Sequence, residues 1–184
     1  MNLIFLLFLF YTNISTIFAR CRIPSTTKKS PIGCNLDLTV AIDMSASMDS
    51  VTNIVKLSNN ILSFLSTIDY HQNAYVAGLT FGASTIDASR YFNNYEEICD
   101  FIHSAQEQSI QMGMASANLS EVFRVYEVSL LQTKRIQNQK ILLIFTAIEN
   151  DDKDSIAAAK YYSKKLKAVG VEIIVIAFRF LSSQ

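Results

Sequence analysis

Past Cys34 the chain alternates between short runs of β-forming apolar residues and longer stretches in which apolar residues return every third or fourth position. That alternation predicts parallel strands joined by covering helices. The first strand is expected from Leu36 to Ile42 (LDLTVAI). Val51, Ile54, Val55, Ile61, Leu62 and Leu65 then line up as one stripe of an amphipathic helix. Ala74 to Phe81 (AYVAGLTF) reads as a second strand, and beyond Gly82 the segment STIDASRYF reads as its antiparallel hairpin partner at the sheet edge. Asn94 and Glu97 have the spacing of a capping box with Asn as the cap, opening a helix that carries Ile98 and Ile102 on one face. A third helix carries Leu119, Val122, Phe123, Tyr126 and Leu130. Lys140 to Phe145 (KILLIF) is apolar without alternation, the pattern of a strand covered on both faces, and is expected at the sheet centre. Asp151 or Asp152 is expected to cap a helix running through Ala157, Tyr161 and Leu166 to Gly170, ahead of a last strand from Val171 to Phe178. The expected fold class is α/β, a doubly wound, mostly parallel sheet with one antiparallel edge strand.

Composition narrows the setting. Half of the 184 residues are apolar, and 16 basic side chains balance 16 acidic ones. Zero net charge with no block of like charges removes the electrostatic footprint of a nucleic-acid or anionic-lipid binder. The opening MNLIFLLFLFY, broken by Thr12 and Asn13 and followed by the small residue Ala19, reads as a signal peptide over residues 1–19. The run is too short for a membrane span, and no later run is long enough. Residues 20–34 form a loop segment and 35–184 the domain. Secretion would place Cys21, Cys34 and Cys99 in an oxidising compartment. Cys21 and Cys34 bracket the proline- and serine-containing RIPSTTKKSPIG, so their pairing is expected, with Cys99 a buried free thiol on a helix's apolar side. Residue spacing leaves the connectivity open.

Candidate chemistry is sought where the carboxyl ends of the strands meet their loops. DMSASM stands at the end of the first strand, so Asp43, Ser45 and Ser47 alternate as the chain turns towards a helix. One carboxylate and two hydroxyls can converge there on a hard, oxygen-seeking cation such as Mg²⁺. The same residue types also suit simple capping of the following helix. The motif, its strand context and the order of elements from Asn35 to Phe180 resemble the von Willebrand factor type A (vWA) family, whose metal-ion-dependent adhesion site (MIDAS) begins with Asp-x-Ser-x-Ser. In that family a later loop supplies a threonine hydroxyl, and GMASANLSEV aligns so that Ser116 takes its place. The family's last ligand is the Asp of Thr-Asp-Gly after the central strand, but this chain reads Thr146, Ala147, Ile148. A carboxylate is therefore missing, and the β-branched Ile148 resists the backbone angles that glycine permits. Glu149 is a candidate stand-in, though an isolated acidic residue after a strand is commonly just solvated.

Other chemistries find less support. Ser45 occupies the position where a haloacid-dehalogenase phosphatase needs a second Asp, and no serine lies in a Gly-x-Ser-x-Gly elbow. His71 and His103 have no Cys or Glu at metal-ligand spacing, and Lys164, Lys165 and Lys167 suit a solvated helix C-terminus. Asn118-Leu119-Ser120 is a glycosylation sequon two residues beyond Ser116. The resemblance implies a Rossmann-like vWA domain that acts as a secreted, non-enzymatic protein-binding module. An acidic side chain of an extracellular protein partner would complete the coordination of a weakly held or absent Mg²⁺. A structural or interaction scaffold without a metal site is the alternative, and a phosphatase-type hydrolase a third. After the last strand only Arg179 to Gln184 remain, where the family adds a strand and a C-terminal helix. The sheet is therefore expected to be one edge strand short, without the helix that slides in integrin-type members, and its open edge to suit a partner strand.

Overall fold

The computed structural model describes residues 35–82, 87–112, 118–132, 134–147 and 153–177. The expected signal peptide, Cys21, Cys34, Ser116, Ile148, Glu149, Asp151, Asp152 and the residues after Ala177 lie outside the described residues. Among the described residues five strands form one sheet in the order β3-β2-β1-β4-β5. They are β1 (Leu36–Asp43), β2 (Ala74–Phe81), β3 (Asp87–Ala88), β4 (Gln139–Thr146) and β5 (Val171–Ala177). β1 pairs in parallel with β2 and β4, β4 with β5, and only the short β3 runs antiparallel, against β2. Helices α1 (Val51–Leu65), α2 (Tyr95–Met112), α3 (Leu119–Val125, continued by a π-turn over Tyr126–Leu130) and α4 (Lys153–Ala168) complete the α/β layers.

Side-chain alternation along β1 divides the core in two. Leu36, Leu38, Val40 and Ile42 pack with Ile54, Ile61 and Leu65 of α1 and with Ile98 and Ile102 of α2. On the other face Ala41 joins Leu79, Phe81, Val122, Tyr126 and Leu166. Gly78 of β2 leaves room for the Phe101 ring, which an added Cβ would overlap. Side chains cap both α1 and α2, and the sequence predicts the cap at Asn94. Ser50 Oγ accepts from Asn53 N at 3.3 Å at the start of α1. Asn94 Oδ1 accepts from Glu97 N at 2.9 Å while Glu97 Oε2 accepts from Asn94 Nδ2 at 2.8 Å, so the box closes through the asparagine's own amide.

Three expectations need correction. The sheet centre is β1, not β4: all eight residues of β1 are buried, whereas β4 is partly exposed. Asp37, Thr39 and Asp43 interrupt the apolar pattern of β1 and so disguised its burial. Among the described residues of the hairpin partner, pairing is confined to Asp87–Ala88 and a single bridge between Val76 and Phe92, so Ser89 to Tyr91 of STIDASRYF do not continue the strand. Cys99, 2% exposed in the α1/α2 core, is disulfide-bonded rather than free. A buried sulfur on an apolar helix face gives the same sequence pattern in either state. The expected Cys21–Cys34 pairing lies outside the described residues.

The amino end of β1 carries a charge that burial would otherwise forbid. Asp37, 0% exposed, accepts from Arg135 Nε at 2.7 Å and Asn138 Nδ2 at 2.8 Å, with Lys140 Nζ at 3.9 Å. The Arg135 guanidinium lies over the rings of Tyr75 and Tyr91, 4.1 and 4.8 Å from their centroids. The Tyr91 hydroxyl is 2.8 Å from Thr39 Oγ1, which extends the polar row along the same face.

Two outcomes are expected. In the monomer, thiol titration after denaturation without reduction should find one free thiol, and peptide mapping should place Cys99 in a bridge; recovery of Cys99 as a thiol contradicts the structure. Burial pushes the Tyr91 phenol up from 10.0 to about 12, with Asp37 acting in the same direction against the Thr39 hydrogen bond. A raised folded-state value means that full stability holds below pH 10.0 and declines as the pH climbs towards about 12. Tyr70 and Tyr126 are raised by burial too. Denaturant melts across that window should show the decline, shallower in Tyr91→Phe.

Candidate functional site

The order β3-β2-β1-β4-β5 reverses its direction of growth at β1, so the crevice between the carboxyl ends of β1 and β4 is a topological switch point, where open α/β sheets bind ligands. Asp43 is the last residue of β1, and the register of Ile42 beside Phe145 brings Thr146 next to it. Both Asp43 and Ser45 are fully buried, while Ser47 is exposed.

The Asp43 carboxylate is a clasp. Oδ1 accepts from Ser45 N at 2.8 Å. Oδ2 accepts from Thr146 Oγ1 at 3.0 Å and from Ala147 N at 3.0 Å. Hydrogen bonds to a charged acceptor are each worth roughly 1.5–3 kcal/mol, enough to hold the loop after β1 against the end of β4. Ser45 Oγ in turn accepts from Ser47 N at 3.2 Å and caps the short 3-10 turn Ala46–Met48. Met44 and Met48, both fully buried, anchor that turn in the core.

Gly82 closes the wall from the β2 side. Its φ is +83°, and a Cβ built there would sit 2.6 Å from Ser45 Cα and Ser45 N and overlap Ser45 Cβ. The backbone hydrogen bond from Met44 N to Phe81 O, 2.7 Å, fixes the same contact. Only glycine permits this approach. Sequence reasoning treated Gly82 as a hairpin turn and Thr146 as a motif remnant. A glycine directly after a strand was the available signal for the first; nothing local marked Thr146 as a donor to Asp43, because their contact spans 103 residues.

Of the candidate ligands, the structure brings together Asp43, Ser45 and Ser47, with Ala147 beside them and Ser116 outside the described residues. Oδ2 of Asp43 has both lone pairs engaged, leaving one on Oδ1, one on Ser45 Oγ and the exposed Ser47 hydroxyl. These oxygens fit a hard cation in type, but they bring a single negative charge, and ligand charge count sets affinity. Among the described residues no group of three or more His, Cys, Asp or Glu could hold a metal. His71 is exposed and His103 half-buried, each apart from this site.

A profile of the von Willebrand factor type A domain matches residues 37–184. No curated protein matches the sequence. Among solved structures, proximal thread matrix protein 1 from the mussel byssus is similar with a TM-score of 0.63 at 15% identity, covering 82% of this chain and 39% of that one. The same mussel protein with a zinc-occupied MIDAS motif gives 0.65 at 18% identity, covering 82% and 40%. The manganese-loaded TRAP protein of Plasmodium vivax gives 0.58 at 14% identity, covering 79% and 59%. These are likenesses of fold, and the chain spans about two fifths of the mussel protein's length.

The Gly82 contact can be isolated. Gly170 has nearly the same backbone, φ +85°, with nothing within 4 Å of an added Cβ. Gly170→Ala should therefore cost only the conformational penalty, on the order of 1 kcal/mol. Gly82→Ala should cost more, by roughly 1–3 kcal/mol, through overlap with Ser45. Urea titrations of the two variants check this; equal losses would remove Gly82 from the site.

Proposed function

The chain belongs to the von Willebrand factor type A domain family, a family of protein-interaction and adhesion modules, and from that premise we propose that it is a secreted, non-enzymatic protein-binding module with a degenerate adhesion site. The observation that carries the reading is the state of Asp43. Where the family's site has a second carboxylate, residue 147 contributes a backbone N–H to Asp43 instead. The strap between β1 and β4 is thus closed by protein donors alone.

A divalent cation, when bound, would offer an open coordination position to an acidic side chain of an extracellular protein. Asp43, Ser45 and Ser47 would hold it, with Ser116 as the further hydroxyl. The zinc-occupied MIDAS motif of the mussel fold neighbour supports a cation at this place in the fold. The single carboxylate argues that it is held weakly here. The full burial of Asp43 and Ser45 favours a second reading, a scaffold whose faces bind a protein partner without metal. The apolar opening of the chain supports export, and no helix of the described residues is long and apolar enough to cross a membrane.

Melting temperature titrated with Mg²⁺ and Mn²⁺ tests the site, since a ligand confined to the folded state adds about 2.7 kcal/mol at a hundredfold excess over its Kd. The wild type is expected to shift little. Ala147→Asp should shift clearly, alone or together with Ile148→Gly, and the gain should vanish in an Asp43→Ala background. A large shift in the wild type, or none in either rescue variant, would overturn the lapsed site.

A further inference from the structure

We propose that Asn118 is an N-glycosylation site whose glycan stands on the rim of the Asp43 loop; this rests on the reading that the chain is exported. The sequon Asn118-Leu119-Ser120 supplies the residue types, and the structure adds a local geometry that suits the chemistry. Asn118 caps α3 and is partly exposed. Its Oδ1 accepts from Ser120 N at 2.9 Å and from Ser120 Oγ at 2.7 Å. Nδ2 makes no hydrogen bond among the described residues.

Two donors on the carbonyl oxygen draw electron density out of the carboxamide and make its N–H easier to deprotonate. Both bonds span only two residues, so this turn can form before the domain folds, when a translocated chain meets the transferase. The co-substrate is a polyprenyl-pyrophosphate-linked oligosaccharide. Nδ2 loses one proton to a base of the transferase and forms a bond to the anomeric carbon. The bond from that carbon to the pyrophosphate oxygen breaks, and the pyrophosphate leaves with its electron pair; nothing is oxidised or reduced. The product keeps Oδ1, and hence the cap of α3.

Topology places the glycan. Asn138, just ahead of β4, bonds Asp37 at the amino end of β1, so the chain after α3 lies at the amino end of the sheet. α3 and its π-turn cover 12 residues, Leu119–Leu130, roughly 18 Å of helix at 1.5 Å per residue. Asn118 at the far end therefore sits towards the carboxyl ends of the strands, the same end as Asp43. A glycan there narrows the approach to the exposed Ser47 hydroxyl and disfavours a broad protein surface docking flat on that end.

The full chain is expressed in a eukaryotic secretory host with its own leader and, separately, with a heterologous leader, and the glycan is scored on the translocated chain whether released or retained. Peptide-N-glycosidase should lower the mass of the wild type by one glycan and convert Asn118 to aspartate. Asn118→Asp keeps an equivalent capping oxygen, so it should fold with the wild-type melting temperature and lose the glycosidase-sensitive mass from the peptide that carries residue 118. A translocated wild-type chain with an unmodified Asn118 peptide overturns the proposal. Modification only under the heterologous leader upholds the site and instead overturns export by the chain's own leader.

Discussion

The structure depends on burying β1 completely although that strand carries two carboxylates. A charge removed from water is tolerated only when paired and hydrogen-bonded, and each end of the strand meets that demand differently. At the amino end Asp37 is neutralised by cations, Arg135 close by and Lys140 farther off, with Asn138 filling a remaining acceptor position. At the carboxyl end Asp43 has no cation among its described partners and is held by three neutral donors. Two solutions to one constraint separate a structural end of the sheet from an end where a cation has electrostatic reason to approach.

This asymmetry gives a candidate site that is well ordered and carries a single negative charge. The Asp43 clasp joins β1 to β4 across the switch point, Gly82 presses against Ser45 from β2, and Met44 and Met48 anchor the turn below. Hydrogen bonds and buried side chains of the chain itself thus fix the loop.

The Cys99 bridge adds a constraint of another kind. It anchors a residue of α2 that is buried inside the larger core cluster. The other face of the sheet has the Lys165–Glu127 ion pair between α4 and the π-turn, an exposed contact of modest worth. Near the last described strand, Ile174, Val175 and Ile176 are 39–49% exposed, so β5 is the least covered strand of the sheet.

The sequence by itself determined the element order, most boundaries and the motif, because these rest on local signals: period-two and period-3.6 hydrophobicity, caps within three residues, and Asp-x-Ser-x-Ser at a strand end. β2 and α1 follow the periodic pattern to the residue. It could not determine which strand is central, since Asp37, Thr39 and Asp43 look like exposed positions until their partners arrive from about 50 to 100 residues away. It could not tell a bonded Cys99 from a free one, nor show that Thr146 and the backbone of residue 147 would clasp Asp43. Those facts are pairings between distant segments, and only the tertiary structure, by excluding water from around buried charges, decides which donors must meet them.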